Sequence, residues 1–497
     1  MTILGRRGGR AGVAFTTAIL ALLALSASGG EPPPPPPPQQ EPELPPGPTA
    51  AETAREMAEF AKKHSDPNAA LHYMQAMVEL ASRRKDDDVE TFIARTLQTA
   101  PPAILAEYPE AEARLRAGLV PVTVWMHRGA QMKRCTFDLD WSKGAGILMP
   151  HLGRVRNLAR AAVACGKWYE FRKRPAEAAQ VYLDVCRMGC HMNGDPVMIS
   201  ELVGMAVVGM GVRALEGMLA RGVDAETGKL ILEGLRELPE KPFSMAEAVD
   251  AERIVMGGWA RLEFTRAARQ GRAEVIGLLG RMMGRELKWH EKLLVPVETD
   301  KIVSMIDRGY AVYDAYTKDV VAAMRKPFAE CIFELKKLTD KDRVMQRATA
   351  AKVGIVGILI NAEATAYERS RIQEARTEAA LRAVTLLAAA ARVKAERGKY
   401  PGKLEQLVEY FGVPGKHPKD PFTGGDFSYK LDGNGLPVVE TPGDDPNAGP
   451  GMRQRLYIFG FSAARGRATR AHDQWRAQRG ILVPGPEAPA GEEEEVF

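Results

Sequence analysis

From Ala51 to about Arg397 the apolar residues recur at intervals of three and four, the period of a helix with one buried face. AETAREMAEFAKKH and NAALHYMQAMVELASRR show it first. RRKDDD at 83–88 ends one helix with cations and begins the next with anions, which complements both helix dipoles and marks a helix–helix junction. Pro101-Pro102 breaks the pattern again, and residues 119–150, with Gly129, Gly144 and Gly146, are expected to form a long irregular connection. Between 156 and 192 the pattern predicts a helical hairpin. Its first helix ends near Arg174, and Pro175 opens the second where a missing N–H costs nothing. Ala179, Tyr182, Cys186 and Gly189 then share one face. Further helices are expected at about 195–221, 224–237, 244–270, 272–292 and 298–338. Residues 343–397 read as one long helix with a kink near Gly354 and Gly357. Ala351, Ile355, Ile358 and Ala362, then Ala379, Ala383, Leu386, Ala390 and Val393, form a narrow seam along it.

At 398 the period changes. Gly398 can stop the long helix, and Pro401 holds Tyr400 extended. Leu404, Leu407, Val408 and Phe411 give a short amphipathic helix; Asp420-Pro421 and Gly424-Gly425 are turn signals. DFSYKL and LPVVE flank DGNG as two strands flank a hairpin turn, and RLYIFGF offers a third strand. The expected fold is therefore mainly α: a multi-helix array or bundle, partly hairpin-repeat-like, with a long C-terminal helix and a small α+β tail carrying a 2–3-stranded antiparallel sheet. Its expected divisions are 1–28, 29–50, 51–342, 343–397, 398–462 and 463–497. Two or three short strands are too few to stand alone, so the sheet should fold back on the seam through Leu386, Ala390 and Val393.

Two resemblances follow. The 156–192 hairpin resembles a single tetratricopeptide-type unit, though no clean repeat at that period accompanies it. The tail resembles the periplasmic domain of the major pseudopilins of type II secretion. The residues that carry this are Tyr400, Pro401, Leu404, Leu407, Asp420, Pro421, Phe422, Gly424 and Tyr429, after the long helix RIQEARTEAALRAVTLLAAAARVKAERGKYP. The likeness covers roughly the last quarter of the chain. Pseudopilins carry a short leader and an apolar helix with a glutamate near its start, whereas here a long helical body precedes the module, so filament assembly is not implied. The whole chain resembles large exported helical bacterial proteins that end in such a module, a family with no activity to carry over. Pseudopilins of this type bind calcium in a nearby loop, which makes Asp432, Asn434, Asp444 and Asp445 candidate ligands. A tight turn alone also explains Asp432 and Asn434, and it is the preferred reading.

Composition adds location. Arg6, Arg7 and Arg10 precede an apolar run from Ala11 to Ala27, and Ser26, Ala27 and Ser28 offer a cleavage site. This is the pattern of an export signal, with an uncleaved membrane anchor as the alternative. Seven consecutive prolines within 29–49 form a stiff spacer of about 3.1 Å per residue or an extended tail. The net charge of +5 over 497 residues is spread along alternating acidic and basic helix faces, which argues against nucleic acid. The expected location is periplasmic or extracellular, with membrane attachment only through an uncleaved N-terminal segment.

The candidate chemistries are thin. CRMGCH at 186–191 has one residue too many for haem attachment, and its thiols lie four apart on a helix. Two buried small residues and a surface His191 account for it better than a disulfide or redox pair. GMGVRA at 209–214 sits inside a helical pattern, so close packing explains it better than a dinucleotide site. HEKLL at 290–294 lacks the second histidine of a zinc protease, and GFSAA at 460–464 the second glycine of a nucleophile elbow. Asp138 and Asp140 read as an exposed polar edge, and the eight histidines have no ligand spacing. No catalytic residue, cofactor or firm metal ligand is assigned. The expected function is a non-enzymatic exported scaffold or protein-interaction module of the cell envelope. The alternatives are a component associated with a secretion or pilus-like apparatus and an enzyme of unrecognised type.

Overall fold

The computed structural model describes residues 49–63, 68–82, 102–107, 109–340, 354–412, 417–441, 457–461 and 464. The export signal, the prolines, the 83–88 junction, Ala351, Asp444, Asp445 and the acidic end lie outside these residues, as do the side chains of Ile355, Ile358 and Ala362. The helices are α1 Ala50–Lys63, α2 Ala69–Ser82, α3 Pro109–Ala130, α4 Pro150–Phe171, α5 Pro175–His191, α6 Met198–Arg221, α7 Ala225–Arg236 and α8 Met245–Glu252. They continue with α9 Gly258–Gln270, α10 Arg272–Met283, α11 Trp289–Leu293, α12 Thr299–Met324, α13 Phe328–Leu338, α14 Gly354–Arg397 and α15 Glu405–Val408. Three strands follow: β1 Ser428–Leu431, β2 Pro437–Thr441 and β3 Tyr457–Gly460. The fold is mainly α with a small antiparallel sheet near its C-terminal end.

The predicted hairpin is α4–α5. Only Arg172–Arg174 link the two helices, with Lys173 in a left-handed conformation and Pro175 opening α5. Ala179, Tyr182, Cys186 and Gly189 do share a buried face. That face meets α6 at backbone distance. A Cβ on Gly189 would lie 2.8 Å from the Gly204 carbonyl oxygen, one on Gly204 would lie 2.6 Å from the Gly189 oxygen, and one on Gly211 2.5 Å from Cys186 Sγ. Gly211 of GMGVRA and Cys186 and Gly189 of CRMGCH thus serve one helix–helix contact. Helix α6 is long and apolar enough to cross a membrane by length and composition, yet most of it is buried, as in the core helix of a soluble protein.

Several boundaries differ from the sequence expectation. Residues 119–130 are helical, not irregular: α3 runs through Pro121 because Leu115, Leu119, Val122 and Met126 bury one continuous face on either side of it. The expected 244–270 helix contains a π-helical turn at Arg253–Gly257. There Arg253 is buried and bonds Asp250 at 2.8 Å and Asp314 of α12 at 2.7 Å. The 272–292 helix stops at Gly284, which takes the left-handed cap conformation, and 298–338 divides at Pro327.

Helix α14 is the spine. Among the described residues it packs on α6, α7, α12 and α13, and its C-terminal half receives the sheet. Leu386, Ala390 and Val393 are buried in the same continuous core as Phe427, Val439 and Phe461 of the tail. The strands run in the order β1-β2-β3, with Tyr429 opposite Val439 and Val439 opposite Phe459. The sheet is also tied to the body by polar bonds. The Gly460 N–H donates to buried Glu216 Oε1 of α6 at 3.0 Å, and Arg382 of α14 donates to the Lys419 carbonyl at 3.0 Å.

The α5–α6 contact predicts a contrast between two glycines. Gly189→Ala places its methyl group against backbone and should cost about 1–3 kcal/mol. Gly153→Ala, in exposed α4 backbone with nothing within 4 Å, should be neutral or stabilising by about 0.5–1 kcal/mol. Chemical denaturation followed by circular dichroism separates the two; equal stabilities would refute the contact.

Candidate functional site

Where the tail meets the body a cleft of about 620 Å³ opens between the start of α5, the α6–α7 link, the end of α14 and the β1–β2 turn. Its walls include Arg221, Val223, Asp224, Lys394, Tyr400 and Asn434. Each charged group there is already engaged. Arg221 holds Glu170 Oε2 at 2.5 Å, and Tyr182 donates to the other Glu170 oxygen at 2.7 Å. Lys394 donates to the Gly398 carbonyl. Asp224 caps α7, accepting the Thr227 N–H and hydroxyl at 2.8 Å each, and the Thr227 N–H holds its carboxyl below the usual range. No histidine or cysteine lines the cleft. Such a lining offers shape and hydrogen bonds to a partner.

The strongly shifted acids lie elsewhere, sealed in the core. Glu201 of α6 is fully buried, and neither carboxylate oxygen has a hydrogen bond of good geometry. Burial pushes its carboxyl up to about 8; nearby Glu374 of α14 adds to this, and the Ser244 N–H only partly offsets it. Glu374 is pushed up to about 7, again by burial, against the opposing pull of Arg371. Asp195 reaches about 7 for the same reason, although the Phe137 N–H donates to its Oδ2 at 3.1 Å. Burial shifts each of these groups toward its protonated form and holds it away from the surface.

A third polar cluster joins α2, α3 and α5. His127 Nδ1 lies 2.7 Å from Asp184 Oδ2; Gln180 and Arg187 donate to the other oxygen. The bond to Asp184 raises the half-exposed His127 above its usual value. Two turns along α5, His191 Nδ1 meets the buried Tyr73 hydroxyl at 2.7 Å, and burial lowers this histidine to about 4. His191 is thus packed into the core edge rather than lying on the surface as expected. Cys186 and Cys190 are buried and unpaired; burial pushes the Cys190 thiol up to about 12. A His–Asp pair can orient a proton acceptor, but no activated thiol or hydroxyl faces it among the described residues. Those residues also hold no group of three or more potential metal ligands.

The residues singled out in the tail have structural roles. Buried Asp420 accepts from the Phe422 N–H at 3.0 Å and from the hydroxyls of Thr423 and Thr441 at 3.0 and 2.8 Å, joining the turn to β2. Pro421 continues this turn, Gly424 takes a positive φ within it, and Phe422 packs edge-on against Phe328 of α13. Tyr429 donates to the Pro401 carbonyl at 3.0 Å, and Tyr400 meets Phe461 edge-on. Leu407 is fully buried, and Leu404 packs beside it. Asp432 Oδ1 accepts from the backbone N–H groups of Asn434 and Leu436 at 2.9 Å each, as a turn requires. Asp138 and Asp140 are exposed, and Asp140 is bound by Ser142 and Lys143. Sequence spacing did not disclose Glu201, Glu374 or the His127–Asp184 pair. Glu201 alone has a visible signal, an acid among Val197, Met198, Gly204 and Met205 on its helical face; Glu374 and Asp184 have polar residues three and four places away and give none.

Two predictions follow from these networks. Asp420→Ala leaves buried donors unmatched and should cost about 3 kcal/mol. The expected result is faster proteolytic cutting within 398–441 with the helical dichroism of the body retained; an equally resistant tail would refute it. Glu201 and Glu374 ionise near 4.5 when unfolded and near 8 and 7 when folded. Their stabilisation is complete below the unfolded value and is lost as pH rises toward the folded ones, by at most about 1.4 kcal/mol per pH unit for each group. The melting temperature should therefore fall between pH 5 and pH 8. Glu201→Gln should flatten that fall and melt higher than wild type at pH 8.

Compared with known proteins, the chain matches no family model, no curated protein and no solved structure.

Proposed function

We propose that the protein is an exported, non-enzymatic interaction module of the cell envelope that docks protein partners in the cleft between its helical body and its tail. The observation that carries this reading is a separation: the charged groups lining the described concavity are each held in a hydrogen bond or ion pair, while the acids with the largest shifts are sealed inside the core. An enzyme would need the two to coincide. The export pattern of the first residues supports an envelope location, and the pseudopilin-like tail suggests a secretion or pilus-like apparatus as the partner class.

The test uses Asn434, which is exposed at the cleft mouth on the β1–β2 turn. Tagged wild type and Asn434→Arg are cross-linked in the envelope fraction of the producing cell. A specific partner captured by the wild type should be lost, at least tenfold, in the variant, with both proteins melting at the same temperature. N-terminal sequencing should find the apolar segment removed. A chain confined to the cytoplasm and beginning at Met1, or capture indifferent to Asn434→Arg, would sink the reading.

A further inference from the structure

Three glutamates lie buried where α6, α14 and the start of α8 meet. Glu201 of α6 is 0% exposed, and Glu374 and Glu378, one turn apart on α14, are each 7% exposed. The two on α14 have cations on their own helix: Arg371 lies 3.4 Å from Glu374, and Arg382 lies 3.1 Å from Glu378. Glu201 has none among the described residues, and neither of its oxygens has a hydrogen bond of good geometry. Its neighbour across the helix contact is Glu374, a second acid.

The charged and titratable groups on the surrounding elements do not complete this pair. On the α7–α8 link, Lys241 is exposed and acts on Glu374 and Glu378, while Glu240 beside it is another acid. On α5, burial pushes the Cys190 thiol up to about 12; on α13, it pushes Cys331 up to about 11, and Glu334 is taken by Lys326. Both thiols are therefore neutral wherever a carboxyl titrates.

The cover over the pair is the link from Glu237 to Ser244 and the first turn of α8. The Ser244 and Met245 N–H groups point at Glu201 and Glu374 respectively. Beyond those, the link rests on few contacts. The Phe243 ring packs at Gly204 of α6, where an added Cβ would lie 2.8 Å from Cε1. Asn193 donates to the Pro242 carbonyl at 3.2 Å, and Arg382 to the Glu240 carbonyl at 3.4 Å. Residues 239–241 are exposed. By contrast, α6 is held by its backbone-to-backbone approach to α5. Two buried carboxyls in one site cannot both ionise while they stay dry. An ionised pair demands water, and the link is the part of its shell that can yield.

We propose that Glu201 and Glu374 form a proton-operated latch: while the pair is neutral the α7–α8 link and the start of α8 close over it, and loss of protons lifts residues 238–248 and admits water. Both carboxyls stand above their ordinary value when folded, at about 8 and about 7, so the closed form binds more protons than the open one. Closure is therefore complete in mild acid and is given up as pH rises through those values. Opening uncovers Phe243 and Met245, which are 1% and 0% exposed when the latch is shut. The latch does not draw on the proposed function, and its failure leaves that reading standing.

The experiment is hydrogen exchange of the full chain, read by mass spectrometry, with protection expressed against the intrinsic exchange rate at each pH. Peptides covering 238–248 should lose protection about tenfold between pH 6 and pH 8.5, while those of α4 and α5 change by less than about threefold. Glu201→Gln and Glu374→Gln should each reduce that loss, and the double variant should remove it. Glu247→Gln, which alters an exposed acid on α8 paired with Arg325 at 2.9 Å, should leave the loss as in wild type. Protection of 238–248 that is flat with pH overturns the proposal. So does a loss shared equally by every helix, which makes the pair a contributor to global stability alone, and so does a loss that persists in the double variant.

Discussion

The structure depends on how closely α5 and α6 approach. Gly189, Gly204 and Gly211 let the two helices meet backbone to backbone, with Cys186 and Val208 filling the remaining space. Interiors pack at crystal density, so this one distance fixes where the outward faces of both helices can sit. On the same side of α5, the Tyr182 ring packs on α4 at Gly166. On α6 the next layer is α14, and α14 in turn supports the sheet. A methyl group added at the α5–α6 contact would be felt across several layers, because no mobile side chain stands there to yield.

The helical part of this arrangement was legible in the sequence because its signals are local. Apolar spacing and Pro175 after a charged link act within a few residues, whereas the expected 272–292 helix ran through Gly284, where α10 in fact ends. Where local signals conflict, packing decided. Pro121 should have broken α3, yet Leu115, Leu119, Val122 and Met126 keep its face buried and helical. The tail was legible for the same reason: DGNG and Asp420-Pro421 encode turns whose bonds close within the segment. The acids were not. Glu201 meets Glu374 across a gap of well over a hundred residues, and Asp184 meets His127 across 57. Nothing in the spacing of either residue announces its partner.

Burial gives two kinds of polar group opposite meanings here. Asp420 and Asp184 are buried with their oxygens matched by donors, so they specify geometry. Glu201 is buried with neither oxygen well matched, so it costs stability when ionised instead of fixing a joint.

The bond from Gly460 to Glu216 spans 244 residues of chain. Contacts of such sequence separation form late, because a long loop must close before they repay its entropy. During synthesis the helical body emerges first, with Glu216 and the alanine-rich face of α14 complete before any strand exists to cover them. The last step of folding is then the arrival of the sheet on a waiting surface. Until that step the chain presents an apolar strip along α14, which is the state most in need of protection from aggregation.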